Sequence, residues 1–371
     1  ERMLELGESG VALTTAYSPG RELPLGKVAA ELPPADKLPI SARSRNNRLA
    51  LAALDQIRPA VDAAVERYGR ERIGVVIGTS TSGIAEAEAA LRQYSATRSL
   101  SKEFRYSQIE LISPAAFLAA VLGTAGPVYV HSNACASSAT AMASAARLIR
   151  MGVCDAVLTG GVDTLCAFTV AGFTALESVS PSRCNPLSRN RNGINIGEGA
   201  ALFLMTNEPA TVAVRGWGES SDGYHISAPD PSGSGARLAI ERALQRAGIA
   251  AEDVDYINLH GTATMQNDAM EARVVYRLFG AGIPVSSTKP LTGHALGAAG
   301  AIEAGLCWLA MQDENPRGKL PPHLWDGVAD PDLPELNVVN RGDSLGRPLR
   351  RALSNSFAFG GANATLLLER E

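Results

Sequence analysis

Four short stretches of the sequence carry side chains able to do covalent or acid–base chemistry, each where an apolar run gives way to small or polar residues. Val130-His131-Ser132-Asn133-Ala134-Cys135-Ala136-Ser137-Ser138 reads as a strand, a small-residue turn and a helix start, with Cys135 at or just before the first helical turn. Free N–H groups and the positive end of the helix dipole there favour a thiolate. Against that, many free cysteines only fill apolar space, and this segment alone leaves both readings open. Asn258-Leu259-His260-Gly261-Thr262-Ala263-Thr264 carries a histidine off the carboxyl end of a strand, where open α/β sheets place ligands, with two threonine hydroxyls behind it. The stretch from Ser286 to Gly300 holds Lys289 and His294 ahead of a small-faced helix bearing Glu303. Asn355-Ser356-Phe357-Ala358-Phe359-Gly360-Gly361-Ala362-Asn363 ends in two glycines after an aromatic residue, a turn whose amides can face a ligand. Singly, these could be a strand-capping histidine, a solvated lysine and a hairpin. Together they place one thiol, two imidazoles and one ammonium at strand ends.

The elements that must position them follow an alternating strand and helix pattern, the mark of α/β architecture. Buried strands are expected over 73–77, 128–132, 156–159, 200–205, 211–215, 256–259, 285–287, 351–355 and 364–368, several as continuous apolar runs covered on both faces. Helices are expected over 48–68, 83–93, 114–122, 137–150, 235–247, 268–278 and 297–312, the first capped by Gly69. In the helix after Cys135, residues Ala139, Met142, Ala143, Ala146 and Ile149 make one apolar face. The strand and Gly/Ser/Thr turn at 73–82 are echoed at 255–264, which suggests two similar halves meeting near 207–211.

Composition narrows the classes. The 371 residues are 46% hydrophobic and 19% charged, enough for a large core and unlike a disordered chain. Net charge is -4, which argues against a dedicated nucleic-acid binder. No apolar run reaches the ~18 residues of a membrane span, and no cationic leader precedes an apolar stretch. The five cysteines, an odd number without framework spacing, read as free thiols in a reducing, cytoplasmic setting. No metal is expected, because neither C-x-x-C nor H-E-x-x-H occurs. Gly216-Trp217-Gly218 follows a strand but has Ser221 at the third glycine position of a dinucleotide fingerprint.

With all four motifs in order over nearly the whole chain, the sequence resembles the elongating β-ketoacyl-acyl-carrier-protein synthases, condensing enzymes of the thiolase superfamily. The resemblance implies a thiolase-like α/β fold, two pseudo-repeated αβα halves forming a five-layered αβαβα unit. The first half, 1–208, would carry the nucleophile and the second, 209–371, both histidines. Ala134-Cys135-Ala136-Ser137 matches the family's nucleophile segment, His260 to Thr264 its H-G-T-x-T, and Lys289 with His294 its K-x-x-x-G-H. Phe359-Gly360-Gly361 matches its F-G-G loop. Asn192 and Ile194 stand where Asp and Phe are usual.

By this resemblance Cys135, His260, His294 and Lys289 are catalytic and Glu303 supports Lys289. The N–H groups of Cys135 and Phe359 form an oxyanion hole, Phe359 gates the acyl pocket, and Thr262, Thr264, Phe357 and Gly360 bind substrate. The reaction implied is decarboxylative Claisen condensation of an acyl-enzyme with a malonyl unit, in fatty acid or related polyketide or polyene synthesis. It needs no cofactor beyond the 4'-phosphopantetheine of an acyl-carrier protein. That carrier is the expected partner, and Arg43, Arg45 and Arg48 its expected docking residues. A homodimer is expected, or a heterodimer with a ketosynthase-like paralogue. A degradative thiolase would need a second cysteine near the F-G-G loop, and a CoA-primed initiating synthase a Cys-His-Asn set. A chain-length-factor-like subunit would have lost Cys135. Family members open on a buried strand with a T-G-x-G turn, whereas Leu4 to Gly10 here resembles the segment after it, so a strand and helix are expected to be missing.

Overall fold

The computed structural model describes residues 7–371. It opens with a hairpin, β1 (Val11–Thr14) and β2 (Leu23–Gly26), followed by helix α1 (Arg45–Tyr68). The first sheet contains β3 (Ile73–Gly78), β4 (Val128–His131), β5 (Ala156–Asp163) and β6 (Gly199–Thr206), interleaved with α2 (Ile84–Thr97), α3 (Ser113–Leu122), α4 (Ser137–Arg150) and α5 (Ala167–Ala175). The second contains β7 (Val212–Ser221), β8 (Tyr256–Asn258), β9 (Pro284–Ser286), β10 (Asn337–Val338), β11 (Arg351–Phe357) and β12 (Ala362–Arg370). Its helices are α6 (Ser234–Ala247), α7 (Met265–Phe279), α8 (Lys289–Thr292) and α9 (Ala299–Ala310).

The sheets run in the orders β4-β3-β5-β6 and β10-β9-β8-β11-β12-β7. In the first, β4, β3 and β5 are parallel and β6 is antiparallel to β5. In the second, β9, β8 and β11 are parallel and β12 is antiparallel to β11. Superposing these patterns pairs β3 with β8, β4 with β9, β5 with β11 and β6 with β12. β7, antiparallel to β12, then has no counterpart beside β6 among the described residues. The opening buried strand expected from the resemblance is likewise not found among them, and residues 4–6 of the segment expected to follow it lie outside them.

Helices α4 and α9 lie between the sheets, α1 and α3 cover the outer face of the first, and α6 and α7 cover the second. Small residues make the central layer possible. Ala139, Ala143 and Ala146 of α4 share one buried cluster with Ala301 and Ala304 of α9, and the Ala301 N–H donates to Ser138 Oγ at 2.9 Å.

Local chemistry moves several boundaries from their expected places. α1 begins at Arg45 because Ser44 Oγ accepts from the Asn47 N–H at 3.1 Å, a serine N-cap. It stops where Gly69 turns to φ +85°. β7 does not end at Gly216. It runs on through Gly218, because α6 crosses so closely that a Cβ at either glycine would strike the main-chain carbonyl of Ala243 or Ala239. The G-W-G sequence is therefore a helix-packing feature. α9 runs from Ala299 to Ala310, shorter than the expected 297–312 at both ends, and Gly297 and Ala298 belong instead to a separate tight turn, Leu296–Ala298, that opens with Leu296 at φ +48°. No helix among the described residues is long and apolar enough to cross a membrane.

Candidate active site

Residues from all four stretches singled out in the sequence line one cleft: Cys135, His260, Thr262, Thr264, His294, Phe357 and Phe359; Lys289 is not part of its lining. Cys135 sits in a tight turn that runs into α4. Ala134 before it is left-handed at φ +47°, a strained state for a residue with a Cβ. Ser137 Oγ fixes the turn, accepting from the Asn133 N–H at 2.9 Å and donating to the Ala134 carbonyl at 2.6 Å.

The histidines come from the second half. His260 ends β8's run, and both lobes of the buried Glu271 carboxylate hold its turn, accepting from the His260 and Gly261 N–H groups at 2.8 Å each. His294 follows α8, and its Nε2 lies 2.9 Å from Cys135 Sγ. The two rings are edge to face with centroids 5.3 Å apart, and Phe357 stands 6.2 Å from His260. Neither Nδ1 has a hydrogen-bond partner among the described residues.

Lys289 and Glu303 form an ion pair whose side chains are 1% and 2% exposed. Burial and the nearby Lys289 ammonium push both histidines well below the usual imidazole range, His260 further affected by His294. Each ring is therefore neutral at pH 7. Burial pushes the Cys135 thiol up to about 12, opposed by Lys289 and by an N–H of Phe359 that reaches the sulfur. The helix start alone does not leave a standing thiolate, and the resting pair is neutral thiol beside neutral imidazole.

Thr262 and Thr264 face the cleft with hydroxyls 3.0 Å apart, and Thr264 also N-caps α7. Phe359 lies 5.6 Å from Phe173 of α5, and the loop behind it turns on Gly360 at φ +82°, whose N–H donates to the Ile226 carbonyl at 2.8 Å. Cys135, His260 and His294 present sulfur and nitrogen atoms within 4.8 Å of one another, close enough to share a soft metal ion. The Lys289 ammonium, which acts electrostatically on all three, opposes a second cation there.

The three arginines named from the sequence lie apart from the cleft lining and are already engaged. Arg43 pairs with Glu103, Arg45 with the buried Glu198, and Arg48 donates to the Pro33 carbonyl at 2.6 Å. Asn192 accepts from Ser180 Oγ at 2.6 Å, and Ile194 lines the cleft. Sequence reasoning missed Phe173, which sits in Ala167–Ala175, a nearly uniformly apolar segment whose pattern singles out no one side chain. It also missed Asp163, a lone acid closing the apolar run of β5.

The C-terminal domain of β-ketoacyl synthases matches residues 211–324 and the N-terminal domain matches 39–210. The chain belongs to the β-ketoacyl synthase family. Among curated relatives, 3-oxoacyl-[acyl-carrier-protein] synthase 2 of Staphylococcus aureus (strain COL) is 32% identical over 352 residues, 88% of this chain and 82% of that protein. Nodulation protein E of Rhizobium meliloti is 33% identical over 347 residues, 90% and 84% of the two chains. The solved ketosynthase (ApeO) of Xenorhabdus doucetiae, in complex with its chain length factor (ApeC), is 46% identical with a TM-score of 0.93. That match covers 99% of this chain and 92% of the other. The thiolase-like ketosynthase fold anticipated from the motifs is the fold found.

Proposed function

We propose that this ketosynthase-family chain catalyses decarboxylative Claisen condensation between an acyl group held on Cys135 and a malonyl group held on an acyl-carrier protein. The observation that carries the reading is the closure of Cys135 Sγ, His294 Nε2 and the His260 ring on one buried cleft. In the first half-reaction the sulfur attacks the acyl thioester, and the departing pantetheine thiolate takes up the thiol proton. The main-chain N–H of Phe359, already against the sulfur, joins that of Cys135 to receive the carbonyl oxygen. Loss of one such donor typically costs ~10²–10³ in rate.

In the second half-reaction the malonyl carboxylate leaves as carbon dioxide and its electron pair forms an enolate. Neutral His260 and His294 each offer one N–H to the enolate oxygen. The carbanion attacks the acyl-Cys135 carbonyl, and collapse expels the Cys135 thiolate, leaving the β-ketoacyl group on the carrier. Lys289, balanced by Glu303, keeps the imidazoles neutral and eases ionisation of the thiol. Thr262 and Thr264 bind the pantetheine arm, Phe357 and Gly360 shape the substrate cleft, and Phe359 gates it. Halves 1–208 and 209–371 thus supply nucleophile and decarboxylation donors respectively. No cofactor beyond the carrier's phosphopantetheine enters the scheme.

Retention of Cys135 with both histidines weighs against a non-catalytic chain-length-factor role. The carrier protein is one partner, and a second ketosynthase-fold chain is the other. The 46% identical relative, solved with its chain length factor, supports a heterodimer. Incubating the protein, with and without co-expressed candidate partners, with acyl-carrier primers of varied length and malonyl-carrier tests the reading. Carbon dioxide and a two-carbon-longer β-keto product are expected in equal amounts. Carbon dioxide without extended product, or neither, contradicts it.

A further inference from the structure

One buried charge beside the cleft takes no part in the scheme above. Asp163 closes β5 with no solvent exposure. Its oxygens accept from six donor groups, all neutral: Thr79 Oγ1 (2.7 Å), Ser80 N–H (2.8 Å), Ser80 Oγ (2.5 Å), Thr81 N–H (2.8 Å), Thr81 Oγ1 (2.8 Å) and the Gly297 N–H (2.6 Å). These donors belong to two separate segments, the turn leaving β3 and the turn Leu296–Ala298 that follows His294.

The second of those turns needs holding. Leu296, two residues after His294, is left-handed at φ +48°, a state that persists in a non-glycine residue only where its surroundings impose it. The next N–H along the chain, that of Gly297, is the one Asp163 takes. A Cβ on Gly297 would lie 2.7 Å from Asp163 Oδ2 and 2.9 Å from the Ser80 nitrogen, so the absence of a side chain lets the carboxylate reach that N–H. The Asp163 charge also acts on the nucleophile. Of the charged groups around Cys135, Lys289 favours the thiolate while Asp163 and Glu303 oppose it, with His260 and His294 neutral beside it.

We propose that Asp163 is a positioning residue of the condensation site: its carboxylate ties the left-handed turn behind His294 to the end of β3 and keeps a buried negative charge there. This rests on the condensation chemistry proposed above. It makes a prediction of opposite sign for the two half-sites. Removing the charge eases ionisation of the thiol, whereas releasing the Gly297 N–H lets His294 drift from the enolate oxygen.

The test compares wild-type protein with Asp163→Asn in two assays: the pH dependence of Cys135 alkylation by iodoacetamide, and carbon dioxide release from malonyl-carrier. The variant should show its alkylation midpoint at lower pH and react several-fold faster at pH 8, while carbon dioxide release falls at least ~10-fold, as small misplacements of catalytic groups do. Loss of both activities together, or no change in either, overturns the proposal. Should Asp163→Asn fail to fold, Gly297→Ala keeps the charge and displaces the contact. It should lower carbon dioxide release and leave the alkylation midpoint in place, and wild-type release in that variant overturns the proposal. A wild-type protein that releases no carbon dioxide contradicts the condensation reading instead, and the alkylation comparison still judges Asp163.

Discussion

The buried Lys289–Glu303 pair allows the structural and catalytic roles of one lysine to be separated. With side chains 1% and 2% exposed, removing one partner strands the other in a low-dielectric site, a loss of ~3–5 kcal/mol. Lys289→Met is the perturbation. At ~2.1 cal/mol/K of unfolding entropy per residue, 371 residues give about 0.8 kcal/mol/K, so Tm should fall by ~4–6 °C. The loss depends on pH with a definite sign. Burial already holds the Glu303 carboxyl above its ordinary range, and without Lys289 it rises further. A carboxyl whose pKa is raised by folding stabilises when protonated, and that contribution disappears as pH climbs through the folded value. The Tm deficit should therefore be larger at pH 8 than at pH 5. Adding Glu303→Leu should recover most of the lost stability, since a buried pair replaced by apolar groups is often neutral or better, yet should not restore condensation. Scanning calorimetry at the two pH values and a coupled condensation assay read both arms. A single variant with wild-type Tm, or a double variant with wild-type turnover, would refute the reasoning.

Three further outcomes follow from other parts of the molecule. Burial pushes Glu271, which grips the His260 turn, up to about 7 from 4.5. Its contribution is present below pH ~4.5 and is lost as pH rises through 7, worth roughly 3 kcal/mol; Glu271→Gln should flatten that slope in urea titrations between pH 5 and 8, and an unchanged slope would remove Glu271 from the account. Gly218→Ala drives a Cβ into the α6 carbonyl of Ala239 and should cost ~1–3 kcal/mol while leaving turnover per folded molecule intact, measured by denaturant unfolding and active-site titration. Arg45→Ala leaves Glu198 buried without its cation and should lower Tm, whereas Arg43→Glu, on a more solvated pair, should be well tolerated; if this face docks the carrier, only Arg43→Glu will raise KM for carrier-bound substrate and spare small thioesters.

Much of this arrangement was legible in the sequence because buried parallel strands are apolar runs that end abruptly. Cys135, His260 and Lys289 each stand within a few residues of such an end. β8 and β9 are neighbours in one sheet, whereas Cys135, from the other sheet, meets His294 because α4 and α9 pack together between the two. The apolar face of α4 was equally plain from its spacing. What was not legible depends on contacts distant in sequence. Gly216 and Gly218 look like strand breakers until α6 is seen crossing them. Leu296 gives no sign of a left-handed backbone, so the turn Leu296–Ala298 is not foreseen and the helix after His294 reads two residues too long at its start. α5 is a nine-residue, almost uniformly apolar segment without helical periodicity, and the strands of the β1–β2 hairpin are only four residues each. The cluster Arg43, Arg45 and Arg48 reads as a free basic face, but Glu103, Glu198 and the Pro33 carbonyl, all brought in by the fold, occupy it. Asp163 is a single letter at a strand end, and its six donors come from residues 79–81 and 297.

The central claim is that Cys135 carries the acyl group. Intact-protein mass spectrometry after incubation with acyl-carrier protein, followed by peptide mapping, tests it most directly. The wild-type chain should gain the mass of one acyl group less a hydrogen, on the peptide containing Cys135, and lose it when malonyl-carrier is added. Cys135→Ala should gain nothing. An unmodified wild-type chain, or an adduct that persists on Cys154, Cys166, Cys184 or Cys307 in the Cys135→Ala variant, would contradict the account.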